Sequence, residues 1–111
     1  MKHSICTALL AAALATPAVA AFPEKPITLV VPFPAGGASD VLGRIMARSM
    51  GVRLGQTVIV DNRAGAGTAI GAASVAKAAP DGYTLLISSN TTFTINPAVK
   101  PVLPYDPQKH F

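Results

Sequence analysis

The side chains in this chain that could do chemistry fall just after runs of apolar residues. Ser39 and Asp40 close the segment Phe33-Pro34-Ala35-Gly36-Gly37-Ala38-Ser39-Asp40, which follows Ile27-Thr28-Leu29-Val30-Val31. Thr68 closes Asn62-Arg63-Ala64-Gly65-Ala66-Gly67, which follows Thr57-Val58-Ile59-Val60. Ser88, Ser89, Asn90, Thr91 and Thr92 follow Tyr83-Thr84-Leu85-Leu86-Ile87. Gly36 and Gly37 let the backbone turn tightly and come close to a ligand. Ser39 or Asp40 is placed to cap the next helix, whose first N–H groups then point at whatever fills the loop. Free donors at the positive end of a helix dipole suit an anion such as a carboxylate or phosphate. Nucleophilic catalysis is poorly served, because the only histidine beyond the first segment is His110, near the far end. Ser39 and Ser88 therefore lack a base to activate them, and no catalytic residue is assigned. His110 also has no second ligand at metal-site spacing, so neither a metal nor another cofactor is expected.

These loops need elements to hold them. Residues 27–33 form a near-continuous apolar run, the pattern of a strand buried on both faces. Over residues 40–54, Val41, Leu42, Ile45, Met46 and Met50 recur at three- and four-residue steps, with Arg44, Arg48 and Arg53 mostly on the other side. That periodicity predicts an amphipathic helix, and Gly55 is placed to end it in a left-handed conformation. Residues 57–60, rich in β-branched side chains, predict a second strand. A second helix is expected from Thr68, a candidate cap, through the alanine-rich run to Ala79, where Pro80-Asp81-Gly82 signals a turn. Residues 83–87 predict a third strand and residues 88–92 a polar loop. Strand, helix, strand, helix, strand argues for an α/β fold with a parallel sheet and right-handed crossovers. Ligands of such sheets bind outside the carboxyl ends of the strands, so the three loops are expected along one edge.

Composition narrows the setting. Of the 111 residues, Lys2 and His3 precede an apolar core over residues 5–14, Pro17 follows, and Ala18-Val19-Ala20 supplies the small residues of a signal-peptidase site. A cleaved secretory signal over residues 1–20, with the product exported to the periplasm, is expected. A spanning helix would need about 20 apolar residues and no proline to close it early. Cys6, the only cysteine, stands before most of the apolar core and leaves with the signal, so the exported chain does not depend on disulfides. The whole chain carries nine Lys and Arg against five Asp and Glu. The basic residues are dispersed and not interleaved with aromatics, which argues against nucleic acid as a partner.

A family resemblance rests on several segments in order. They are Pro26-Ile27-Thr28-Leu29-Val30-Val31-Pro32-Phe33, Gly36-Gly37-Ala38-Ser39-Asp40 and Val60-Asp61-Asn62-Arg63-Ala64-Gly65-Ala66-Gly67-Thr68-Ala69-Ile70-Gly71. Ala76-Lys77-Ala78-Ala79-Pro80-Asp81-Gly82-Tyr83-Thr84-Leu85-Leu86, Ile95-Asn96-Pro97 and Leu103-Pro104-Tyr105-Asp106-Pro107 follow. The chain resembles the Bug-type periplasmic solute-binding proteins, receptors of tripartite tricarboxylate transporters. The resemblance implies a type II periplasmic binding protein (Venus-flytrap) fold, a parallel-sheet α/β sandwich. It also implies a monomer that captures a small carboxylate without catalysis and passes it to transporter membrane subunits. Members of that family are much longer and have a second lobe, so residues 21–111 are expected to be part of the first lobe only. An isolated part with half a cleft has a rival expectation, an exported stub without binding function.

The ligand-binding residues carried over are Pro34, Ala35, Gly36, Gly37, Ser39, Asp40, Gly67, Thr68, Ser88 and Asn90. Asp40 would repel an anionic ligand, so capping or organising the loop competes with direct contact. Arg63 could clamp a carboxylate or simply bridge to Asp61, and Asn62 could hold the loop through its own backbone. Ser88 and Asn90 are divided between ligand contact and loop stabilisation. Gly65-Ala66-Gly67-Thr68-Ala69-Ile70-Gly71 leaves one competing class, a dinucleotide-binding Rossmann-like enzyme. Against that class, the turn follows the second strand rather than the first, and no acidic residue closes the next strand.

Overall fold

The computed structural model describes residues 21–111; the expected signal segment lies outside the described residues. Within Ile27–Val31 every residue but Thr28 is buried. This strand, β1, is the middle of a three-stranded parallel sheet ordered β2-β1-β3, with β2 at Val58–Asn62 and β3 at Thr84–Leu86. Helix α1, Ala38–Leu54, joins β1 to β2, and α2, Ala69–Ala76, joins β2 to β3. After β3 a π-helical turn, Thr91–Ile95, runs directly into one α-helical turn, α3, at Asn96–Val99.

The two long crossovers lie on opposite faces of the sheet. A Cβ at Gly43 of α1 would stand 2.8 Å from Val31 Cγ2 and 3.9 Å from Ile87 Cγ2. Ala69, Ala72 and Ala73 of α2 pack instead with Leu86, Leu103 and Tyr105. Leu86 pairs with Val30, and Val30 points away from Val31 because side chains alternate along a strand. From β1 the chain steps one way to β2, then back across β1 to β3. Opposite steps on opposite faces give both crossovers the same hand, as the rule for parallel sheets requires. Register pairs Val31 with Asn62 and Val30 with Leu86, so all three strands end at the same edge.

Several expected boundaries are corrected. Strand β1 stops at Val31 because Pro32 has no N–H for the ladder. Strand β2 runs on to Asn62, since Arg63 N–H still reaches Val31 O at 2.9 Å. Helix α1 begins at Ala38, with Gly37 at the N-cap and no side-chain cap. Ser39 and Asp40 therefore sit inside the first turn, and neither caps it. Gly55 ends this helix at φ 64°, ψ 24°, the left-handed conformation expected. Helix α2 stops at Ala76, short of Ala79, and Thr68 occupies its cap position without a capping bond. Residues 91 and 92 belong to the helical turn and not to the polar loop.

The amphipathic face of α1 is also not the one expected. Its buried residues are Asp40, Gly43 and Ala47, while Val41, Leu42 and Ile45 are 53%, 52% and 62% exposed. Helix and sheet meet so closely at Gly43 that only small side chains fit between them. The larger apolar residues are left facing outward.

Candidate functional site

The edge where β1, β2 and β3 end carries the candidate site. Residues 34–37 form the first loop, all four exposed, with Gly36 at φ +87°. The first helical bond of α1 is Val41 N–H to Gly37 O at 3.0 Å. The N–H groups of Ala38, Ser39 and Asp40 are thus the ones that a helix leaves without an intrahelical acceptor.

Asp40 holds this loop in shape. It is 3% exposed, and its Oδ2 accepts from Gly36 N–H at 2.8 Å and from Arg44 Nε at 3.0 Å. Its Oδ1 accepts from Asn62 Nδ2 at 3.0 Å, and the same amide donates to Phe33 O at 3.2 Å. Hydrogen bonds from the Gly36 backbone, then from Arg44 and Asn62, lower the Asp40 pKa from 3.8 to about 2. The carboxylate is turned inward and its charge is matched by Arg44, which removes the repulsion an anion near the loop would otherwise meet. Asn62 holds the neighbouring loop, not its own backbone. Arg63 bridges to Asp61 through Nε at 2.7 Å.

The second loop is a strained turn. Gly65, Ala66, Gly67 and Thr68 all have positive φ, at 127°, 49°, 62° and 75°. Ala66 and Thr68 are not glycine, and a β-branched residue there is an outlier that its surroundings must enforce. The enforcement comes from the chain after β3. Asn96 Nδ2 donates to Gly67 O at 2.7 Å, Lys100 Nζ donates to Ala66 O, and Thr68 Oγ1 meets Thr92 Oγ1 at 2.6 Å. Buried Thr68 therefore points its hydroxyl inward, while Gly67 is exposed.

The third loop supplies Ser88, half-buried and bonded through Oγ to Thr92 Oγ1, and exposed Asn90. Ile87 N–H bonds to Val30 O at 3.1 Å, which seats Ser88 beside the end of β1. The structure thus brings Gly36, Gly37, Ser39, Gly67, Ser88 and Asn90 to one edge, with Pro34 and Ala35 on the exposed loop among them. Asp40 and Thr68 face into the protein behind that edge. Thr92, Asn96, Lys100 and Tyr105 carry contacts that sequence reasoning did not assign. Asn96 and Tyr105 lie within the segments of the resemblance, but nothing in their spacing shows which loop they reach. An apolar groove of about 570 Å³ lies between α2 and residues 100–104, lined by Ile70, Ala73, Lys77, Val102 and Leu103, and includes none of the expected site residues.

Residues 42–111 match the model of a family described as tripartite tricarboxylate transporter family receptor. The protein BugT of Bordetella pertussis is 48% identical over 85 residues, covering 76% of this chain and 26% of BugT. Among solved structures, MatC from Rhodopseudomonas palustris with bound malate superimposes at a TM-score of 0.77. It is 41% identical over 81% of this chain and 31% of its own. Another Rhodopseudomonas palustris structure, with adipate, is 39% identical at a TM-score of 0.75, covering 79% of this chain and 29% of that one. The chain thus spans about a quarter of the length of the curated relative BugT.

Proposed function

The chain belongs to the tripartite tricarboxylate transporter receptor family, and on that premise we propose that its strand-end edge is part of a receptor site for a small carboxylate. The observation that carries this reading is the loop at residues 34–37. It leaves the first N–H groups of α1 unused by side-chain caps while the nearest carboxylate, Asp40, is sequestered. A ligand carboxylate there would meet backbone donors and the positive end of a 17-residue helix. The bound malate and adipate of two structural neighbours are small dicarboxylates of the chemistry that such donors suit. The family is one of solute receptors and not enzymes, so the dinucleotide-binding alternative is dropped. The setting we propose is the periplasm, reached through a signal cleaved before Ala21. There the receptor acts as a monomer and hands its ligand to transporter membrane subunits.

Isothermal titration of the purified chain with malate and adipate, and with adipamide as an uncharged control, tests the reading. Saturable binding of either acid without binding of the diamide is the expected result. No binding of either acid at millimolar concentration would overturn it for this chain. The outward-facing Val41, Leu42 and Ile45 favour a second reading, that the chain alone does not hold a ligand well. The same titration decides between the two.

A further inference from the structure

Behind the strand-end edge, the hydroxyls of Thr68, Thr92 and Ser88 form a chain, with Thr92 Oγ1 meeting Thr68 Oγ1 at 2.6 Å on one side and Ser88 Oγ on the other. Each hydroxyl has a single proton, and a buried hydroxyl must find an acceptor for it, which gives the chain a direction. Two carbonyls set it. Gly67 O can only accept, so the Asn96 atom facing it at 2.7 Å is Nδ2. Thr92 O likewise only accepts, so Tyr105 Oη commits its proton there, at 2.6 Å. The remaining Nδ2 proton of Asn96 has Tyr105 Oη at 3.3 Å and Thr68 Oγ1 at 3.4 Å as its acceptors. Thr68 is 4% exposed and its only other partner, the amide, donates to it, so its own proton has only Thr92 Oγ1 to go to. Thr92 is fully buried and has only Ser88 Oγ left to accept its proton, so it donates there, and the Ser88 proton is left for a group beyond the three hydroxyls.

We infer that Asn96 and Tyr105 orient a hydroxyl relay, Thr68 to Thr92 to Ser88, that makes Ser88 a fixed hydrogen-bond donor at the edge and selects an acceptor such as a carboxylate there. The inference rests on the reading of this edge as a carboxylate site. Burial keeps water from offering the inner hydroxyls another acceptor: Thr92, Asn96 and Tyr105 are 0%, 3% and 4% exposed. Thr92, Asn96 and Tyr105 are positioning residues, acting through Ser88.

Two measurements test it. Neutron diffraction on the deuterated chain is expected to place the Thr68 deuteron toward Thr92, the Thr92 deuteron toward Ser88 and the Ser88 deuteron outward. The reverse order overturns the relay whether or not a ligand binds. Malate titration of variants tests its consequence. We expect Ser88→Ala to weaken binding about tenfold and Thr92→Val about fivefold, in keeping with the loss of one hydrogen bond. Thr92→Ser, which keeps the hydroxyl, is expected to stay within about twofold of the parent. In the Ser88→Ala background, Thr92→Val is expected to change nothing further, because its effect passes through Ser88. Additive losses, or an unaffected Thr92→Val, would overturn the relay. A parent chain that binds neither malate nor adipate would defeat the carboxylate reading instead, leaving the neutron map to decide the direction.

Discussion

At the scale of single residues, Asp40 decides most about the first loop. Its type and place marked it as important, but whether it met a ligand, capped a helix or organised a loop depended on partners far away in sequence. Asn62, 22 residues on, is one of them. The low pKa has a consequence for stability. Folding lowers the Asp40 pKa from 3.8 to about 2, so the unfolded chain binds the proton more readily. The stabilisation is complete above pH 3.8 and is lost as pH falls through about 2. Asp40→Asn is expected to lower the urea midpoint at pH 7 and to flatten the part of its decline between pH 4 and 2 that Asp40 causes. Urea titrations of both proteins across that range check this. Arg63 is a contrasting case, since its neighbour Asp61 is only two residues away and the bridge between them could be read locally.

At the scale of elements, the close approach of helix to sheet and the strained turn before α2 are the decisive features. Gly71 of α2 has no room for a side chain. An added Cβ would lie 2.7 Å from Pro32 Cβ and 2.8 Å from Arg63 O. Alanine in a helix gains up to about 1 kcal/mol over glycine, but overpacking against backbone costs about 1–3 kcal/mol. The clash is expected to win, with Gly71→Ala destabilising the chain by about 2 kcal/mol in chemical denaturation. Ala66 makes the opposite case. At φ 49° it occupies a conformation that glycine adopts freely, so Ala66→Gly is expected to stabilise by about 0.5 kcal/mol in the same assay. A loss of stability would show that the turn is less strained than its dihedrals indicate. The glycines at 65 and 67 announced a turn. The positive φ of Ala66 and Thr68 was not legible, because neither residue favours it and only the bonds from Asn96, Lys100 and Thr92 impose it.

At the scale of the whole molecule, the outward apolar face of α1 governs behaviour in solution. Val41, Leu42 and Ile45 all lie more than half exposed, and apolar side chains gathered on one helix form a surface that seeks a partner. Taken by itself, unlike the longer receptor proposed to act as a monomer, this chain is expected to bind a hydrophobic dye and to self-associate as its concentration rises. Ile45→Glu should reduce both while leaving the unfolding free energy within about 0.5 kcal/mol of the parent. Light scattering and dye fluorescence measure it. By itself the sequence determined the order of the three strands and the two helices between them, the parallel sheet, the left-handed stop at Gly55 and the edge where the loops gather. Those follow from local periodicity, glycine placement and the rule that ligands sit at the carboxyl ends of parallel strands. Only the tertiary structure decided which face of α1 meets the sheet, where the Asp40 carboxylate points and what holds the second loop. Each of these depends on contacts between residues distant in the chain, set by the space between packed elements and the hydrogen-bond partners found there, which local pattern does not encode.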